Sequence, residues 1–265
     1  MATAKIQHAA KGASNAAYIN NPILAMFNYF RDELDEHHDR RERVIKASRD
    51  ITALSKKMIF TLQRARNLLA PLPASLDKEY QTRHSQIQAL FSSIAPDLQD
   101  LNAHRYARQI SGGIQEYIEA LSFHHYLLTG SLIPLASVRD NVRNLIEITP
   151  ADYILGIFDL VGEIMRFGIT MIATRGDVSK LLRDIRELRM QFEALDTSVG
   201  GGGLLGKEVS KKMGVMQTCV EKVETAVCGF IVRGSERPKG WVPELAIERA
   251  VGGGRGGNFD EDGET

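Results

Sequence analysis

Residues 153–166 read YILGIFDLVGEIMR, and residues 113–123 read GIQEYIEALSF. Both stretches have the apolar spacing of a buried helix, yet each carries two acids three or four residues apart: Glu116 and Glu119 in one, Asp159 and Glu163 in the other. Either spacing places two carboxylates on one side of a helix. Because carboxylates are rarely buried unless they are paired or bind a metal, these four acids are the strongest chemical signal in the chain.

A single acid of this kind is usually solvated or paired locally, as Glu163 would be with Arg166. Four acids in two pairs instead favour a shared site for a hard cation such as Mg²⁺, with Mn²⁺ as the alternative, because such ions prefer oxygen ligands. The ion can activate a water and stabilise charge on a phosphoryl group. Di-iron bundles use Glu-x-x-His repeats, and neither Glu116 nor Glu119 has a histidine three residues later.

The rest of the chain has helical spacing throughout, and no stretch alternates as a strand does. From Ile23 to about Leu69 there is neither glycine nor proline, which predicts one very long helix or two nearly continuous ones. Shorter helices are predicted over 75–101, 104–128, 131–147, 150–174, 178–195 and 207–232. The fold class is therefore all-α, a bundle of six or seven helices.

Composition divides the chain into three parts. We expect a disordered segment over 1–21, a helical domain over 22–237, and a tail over 238–265 that is Gly-rich, acidic and disordered from about residue 252. The glycine run at 200–203 is interpreted as a flexible loop.

The overall charge is balanced, with 33 basic and 33 acidic residues, so any surface for nucleic acid must be local. The two cysteines, Cys219 and Cys228, fit neither a CxxC motif nor a disulfide framework, which predicts a reducing compartment, cytoplasmic or nuclear. No stretch approaches the roughly 20 apolar residues of a membrane span, so no membrane partner is expected.

A local basic surface is indicated on the first long helix. Its candidate nucleic-acid ligands are Arg40, Arg41, Arg43, Lys46, Arg49, Lys56, Lys57 and Arg64. The alternative is a solvated face balanced by Asp39, Glu42 and Asp50. That balance ends at Asp50, because no acid follows before Pro71. A helix rich in Arg and Lys can neutralise phosphates without reading bases.

Three motifs resemble those of a known family. Residues 38–52, HDRRERVIKASRDIT, resemble the first helix of the translin family. Residues 113–133, GIQEYIEALSFHHYLLTGSLI, and residues 152–166, DYILGIFDLVGEIMR, are similar to signatures of its translin-associated factor X branch. The resemblance extends from about Phe27 to Arg237. The aspartate of the D-L-x-G-E motif, Asp159 here, is absent from translin itself, so the resemblance implies the catalytic branch.

The resemblance implies a seven-helix subunit that assembles with translin into a closed hetero-oligomeric shell, usually an octamer. In that family the shell is an Mg²⁺-dependent endoribonuclease acting on single-stranded RNA, with single-stranded DNA as a second ligand. It is linked to passenger-strand removal in RNA silencing and to tRNA processing, in cytoplasm and nucleus. Glu116, Glu119, Asp159 and Glu163 would hold the metal, and the basic residues of the first helix would line the RNA-facing interior.

A different class of function stays open at this point. The chain could be a non-catalytic, nucleic-acid-binding scaffold subunit whose acids are structural. The two interpretations differ in whether the two acid pairs converge in the folded chain, since acids that lie far apart cannot share a metal ion.

Overall fold

The computed structural model describes residues 22–143, 145–174, 176–195 and 204–236. These residues form seven α-helices, one 3-10 turn and no strand, which confirms the all-α prediction. The elements are α1 Pro22–Leu62, α2 Ala74–Ile94, the 3-10 turn Ala95–Leu98, α3 Leu101–Thr129, α4 Leu135–Asn141, α5 Pro150–Ala173, α6 Ser179–Glu193 and α7 Leu204–Glu236. The segments predicted to be disordered over 1–21 and 238–265, and the glycine run at 200–203, lie outside the described residues.

The first helix is very long, as predicted, but it ends at Leu62 and not near Leu69. The backbone tightens after Leu62, whose carbonyl accepts a hydrogen bond from the Ala65 N–H. Leu69 then adopts a positive φ of 59°, and its N–H donates to the carbonyl of Leu127 on α3 at 2.8 Å. The chain therefore leaves the helix in order to meet the end of α3, and Arg64 lies beyond α1.

Local signals fix the ends of the two helices that carry the acids. At the start of α5, Thr149 accepts a hydrogen bond from the Asp152 N–H through its hydroxyl, and Pro150 occupies the first turn, where its missing N–H is harmless. At the end of α3, Gly130 takes the left-handed conformation with φ 64°, which glycine adopts without strain. Both ends lie where the sequence predicted them.

Helix α3 is the central element of the bundle. It packs against α1 on one side and α5 on the other, while α7 packs against α5 and α6, and α2 packs against α1. Phe123 of α3 and Phe167 of α5 are both fully buried and meet edge-on at 6.1 Å between ring centroids. The acids of α3 and α5 consequently lie between α1 and α7.

Two glycines allow the three central helices to approach closely. A Cβ built on Gly113 of α3 would lie 2.9 Å from the carbonyl oxygen of Ser48 on α1. A Cβ on Gly156 of α5 would lie 2.8 Å from Ile118 Cγ2 and 2.9 Å from the carbonyl oxygen of Gln115, both on α3. Each acid pair begins about one turn after one of these glycines, so the close crossings set the separation of the carboxylates.

The first part of α1 projects from the body of the bundle. Every residue from Pro22 to Glu36 is exposed or half-buried. Large apolar side chains recur there at intervals of four and three residues, the spacing of a coiled-coil seam. We call them the N-terminal apolar stripe: Ile23, Phe27, Phe30 and Leu34, which are between 47% and 67% exposed.

Among the helices of the described residues, none combines the length and the apolar character needed to cross a lipid bilayer.

Candidate metal centre

The two acid pairs converge on one buried carboxyl group, that of Glu119, which is 8% exposed. Burial raises the pKa of Glu119 most, and the negative charges of three neighbouring acids raise it further, to about 9. Those neighbours are Asp159, Glu163 and Glu116. We call the four residues the acid cluster. The two acid pairs therefore lie within electrostatic reach of one another.

Glu119 has no bonding partner of its own. Among the residues that the structure describes, no hydrogen-bond donor or basic side chain contacts its carboxyl group. A buried carboxylate without a partner carries a large energetic cost. In the absence of a cation, a pKa near 9 keeps this group protonated at neutral pH.

The three outer acids each contact a basic side chain. Lys56 Nζ of α1 lies 3.3 Å from Glu116 Oε1; burial nevertheless raises the pKa of Glu116 above its ordinary value. Lys212 of α7 forms an ion pair with Asp159 and lies 3.4 Å from the carbonyl of Leu155. These contacts tie α1 and α7 to the acid cluster.

Glu163 is the most firmly held of the outer acids. Arg166 Nη1 donates to its Oε1 at 2.8 Å, the local pair that was the alternative interpretation of this residue. Gln63 Nε2 donates to Glu163 Oε2 at 2.8 Å and to the Glu163 carbonyl at 2.9 Å. Glu163 is therefore oriented by side chains from its own helix and from the end of α1.

The chemistry of this donor set fits a hard divalent cation. All four donors are carboxylates, the ligand type that Mg²⁺ accepts, and the buried Glu119 lacks the positive charge that an ion would supply. In the described part of the chain, however, no three His, Cys, Asp or Glu side chains are already arranged as a ligand set. The reason is visible in the contacts, because the outer carboxylates turn toward Lys56, Lys212 and Arg166.

Half of the predicted RNA-binding residues are engaged elsewhere. Arg40 and Arg43 both bind the carboxylate of Asp97 in the 3-10 turn, the latter at 2.7 Å and 2.9 Å. The Arg43 guanidinium lowers the pKa of Asp97 below its ordinary value. The other two arginines also form ion pairs, Arg41 with Glu42 and Arg64 with Glu79. These four arginines act in ion pairs that hold the fold or shield acids.

The remaining four predicted RNA-binding residues define a narrower basic surface. Lys46, Arg49 and Lys57 are exposed, and no ion pair engages them within the described residues. Lys56 is 63% exposed although it contacts Glu116. On a helix these positions fall on one side, which places the basic surface beside the acid cluster.

Sequence reasoning missed two side chains of the site, Lys212 and Gln63. The sequence did contain a signal for Lys212, which lies among the apolar residues of α7 between Val209 and Met216, where a lysine is unusual. Its side chain is only 19% exposed. Gln63 carried no such signal in the sequence, because its contact with Glu163 depends on α1 ending beside α5.

The sequence is similar to proteins of one family. A model of the Translin family matches residues 39–234. Translin-associated protein X of Mus musculus is 32% identical over 247 residues, which cover 84% of this chain and 83% of the mouse protein. The Translin-associated protein X homolog of Schizosaccharomyces pombe is 33% identical over 218 residues, 80% of this chain and 89% of the yeast protein.

Solved structures show the same fold at lower identity. The crystal structure of apo-NeC3PO superposes with a TM-score of 0.56 at 16% identity, covering 76% of this chain and 96% of that one. AfC3PO superposes with a TM-score of 0.55 at 20% identity, covering 79% of this chain and 98% of that one. Family match, sequence identity and fold agree, and the chain belongs to the translin family.

Proposed function

We propose that this chain is the RNA-cleaving subunit of an Mg²⁺-dependent endoribonuclease that hydrolyses phosphodiester bonds of single-stranded RNA. Mn²⁺ is the alternative ion. The observation that carries the proposal is the acid cluster, in which Glu116, Asp159 and Glu163 lie near a buried Glu119 that none of the described residues pairs with. A site of this kind gains most from a bound cation.

Glu116, Glu119, Asp159 and Glu163 would hold the ion. When bound, it would supply an activated water and compensation for the charge that develops on the phosphoryl group. Gln63 donates one hydrogen bond to the Glu163 carboxylate and one to the Glu163 backbone carbonyl, so one ligand of the set is already oriented.

The exposed basic residues beside the acid cluster would hold the strand. Lys46, Arg49 and Lys57 lie along α1 and are free to contact phosphates. Phosphate contacts fix the position of a strand without selecting its sequence, and they weaken as salt rises. RNA binding by this surface would therefore be largely independent of sequence, with single-stranded DNA as a second ligand.

Translin is the proposed partner, in a hetero-oligomer that would be octameric. The names of the relatives describe proteins associated with translin. The N-terminal apolar stripe supports assembly, since it exposes four large apolar side chains at coiled-coil spacing. Passenger-strand removal in RNA silencing and tRNA processing are the proposed processes, in cytoplasm and nucleus.

The direct test is cleavage of a labelled single-stranded RNA by the full chain co-expressed with translin. We expect cleavage in Mg²⁺, none in EDTA, and a loss of more than about 100-fold in Asp159→Asn, which keeps the shape of the side chain but weakens a metal ligand. RNA binding should persist. Asp140→Asn, an exposed site on α4, is the matched control. Equal cleavage by Asp159→Asn and the control would contradict the metal site.

A scaffold function is the second candidate, and one observation favours it. Lys56, Lys212 and Arg166 already neutralise the three outer acids, as ion pairs with a structural role would. A scaffold subunit would bind RNA through α1, and its acid cluster would serve only to hold four helices together.

Replacing Lys212 by methionine distinguishes the two candidates. If Lys212 competes with Mg²⁺ for Asp159, we expect Lys212→Met to lower the Mg²⁺ concentration that gives half of the maximal rise in Tm, by up to about fivefold, as befits a partly exposed ion pair. Lys211→Met changes an exposed neighbour on α7 and is the control. If the chain is a scaffold subunit, we expect Lys212→Met to lower Tm in EDTA, and we expect Mg²⁺ to change the Tm of neither variant.

A further inference from the structure

Phe60 is turned outward in a part of α1 that otherwise packs into the bundle. Its neighbours Met58, Ile59, Thr61 and Leu62 are all buried. Phe60 is 71% exposed, more than any other phenylalanine or tyrosine of the described residues. A single exposed apolar residue is ordinary in itself, so its meaning depends on what lies next to it.

The ring lies at the rim of the acid cluster. Phe60 follows Lys56 by four residues and precedes Gln63 by three. Gln63 lies just past α1, but its N–H still donates to the Ile59 carbonyl, so helical spacing makes both residues surface neighbours of Phe60. Lys56 contacts Glu116 at 3.3 Å, and Gln63 contacts Glu163 at 2.8 Å. The side chains on either side of Phe60 therefore reach two of the four acids, one from each pair.

The immediate surroundings of Phe60 are basic. Lys57, three residues earlier, is exposed, Lys56 is 63% exposed, and Arg49 lies further along the same side of α1. An aromatic face beside a line of cations is the combination with which proteins bind single-stranded nucleic acid, since bases stack on the ring while the cations contact phosphates.

We propose that Phe60 is the platform on which a base of the RNA strand stacks beside the bond to be cut. This inference rests on the proposed function and adds a positioning residue to it. Lys56 and Lys57 contact the phosphates on either side of the stacked nucleotide, and the ring fixes the distance between that nucleotide and the acid cluster. Because every base has a π-face, the platform positions the strand without selecting a sequence.

A second subunit is the other occupant that an exposed ring could have. The cores of protein interfaces are depleted of lysine and other charged residues, whereas Phe60 is flanked by exposed Lys56 and Lys57. The N-terminal apolar stripe lies several turns away along α1, and its exposed charged neighbours are mostly acidic, with Asp32, Glu33 and Asp35 beside a single Arg31. The surroundings therefore favour a polyanionic strand over a protein surface at Phe60.

The test measures RNA affinity in EDTA, where no cleavage occurs, with the full chain co-purified with translin. A labelled single-stranded oligonucleotide is compared with an abasic oligonucleotide of the same length. We expect Phe60→Ala to weaken binding of the normal strand at least about fivefold, the effect of losing one stacked base, and to leave binding of the abasic strand unchanged. Phe60→Trp should retain affinity, and Phe60→Leu, which keeps an apolar side chain, should behave as Phe60→Ala.

Any other binding result overturns the inference, and the cleavage assay on the unchanged chain separates it from the proposed function. If the unchanged chain cleaves RNA and Phe60→Ala binds both strands normally, the platform is wrong and the function stands. If Phe60→Ala loses only normal-strand affinity but the unchanged chain never cleaves, the platform stands and the function is wrong. Equal losses on both strands, or a smaller assembly by light scattering, would assign Phe60 to subunit contact.

Discussion

Glu119→Gln is expected to reduce RNA cleavage by more than about 100-fold while the protein stays folded. Side chains that only orient metal ligands already contribute about 10- to 100-fold, and Glu119 is proposed as a ligand itself. Glutamine has the same shape but is neutral, and in the metal-free protein the pKa of about 9 keeps Glu119 neutral as well. The substitution therefore removes the charge that an ion needs and leaves the packing of α3 intact.

The same variant is expected to remove a dependence of stability on pH. The pKa of Glu119 rises from an ordinary 4.5 to about 9 on folding, so between these values the folded chain holds a proton that the unfolded chain releases. The stabilisation from this group is complete below about pH 4.5 and is lost as the pH rises through about 9. In EDTA, Tm of the unchanged protein should fall over this range more steeply than Tm of Glu119→Gln.

Glu42→Gln provides the matched control, since Glu42 lies exposed on α1 and should alter neither cleavage nor the slope of Tm against pH. Two results would count against the acid cluster as described. One is cleavage by Glu119→Gln within about tenfold of the unchanged protein; the other is an identical pH slope in both proteins.

Gly156→Ala is expected to lower both stability and activity. The added Cβ would lie 2.9 Å from the carbonyl oxygen of Gln115, and a backbone atom cannot move without the helix that carries it. Overpacking of this kind costs about 1–3 kcal/mol, against a gain of about 1 kcal/mol from the helix propensity of alanine. We expect a net loss of about 1 kcal/mol in urea unfolding. Cleavage should fall about tenfold, because Asp159 is displaced from Glu119.

Gly162→Ala, in the same helix, is the control and should have the opposite sign. A Cβ at Gly162 meets no atom within 4 Å. Only the higher helix propensity of alanine then acts, and we expect the free energy of unfolding to rise by about 1 kcal/mol. If both substitutions stabilised the protein equally, the crossing of α3 and α5 would be looser than the structure shows.

The fold was largely predictable because its signals are local. Absence of glycine and proline predicted the length of α1, Thr149 and Pro150 predicted the start of α5, and Gly130 predicted the end of α3. The helix predicted over 131–147 spans only Leu135–Asn141, and the one predicted over 75–101 ends at Ile94 and is followed by a 3-10 turn. The first helix was also predicted too long, since α1 stops at Leu62 because residues beyond it meet α3. That contact joins Leu69 to Leu127, far apart in the chain, and no helical pattern contains it.

The acidic residues of the candidate site could be predicted from the sequence, whereas the basic residues that are left without ion pairs could not. Helical spacing alone paired Glu116 with Glu119 and Asp159 with Glu163, since both members of each pair lie on one helix. Which arginine or lysine is free depends on acids from other elements, as Asp97 shows by binding Arg40 and Arg43. A run of basic residues in the sequence therefore does not reveal which of them form ion pairs in the folded chain.

The pairing of Lys212 with Asp159 has a consequence for biosynthesis. Lys212 belongs to α7, which follows all four acids in the chain and is therefore made after them. Until α7 docks against α5, the nascent chain carries an acid cluster without one of its counter-charges. The nascent chain therefore passes through a state in which the Asp159 carboxylate has not yet met Lys212, and docking of α7 supplies that counter-charge.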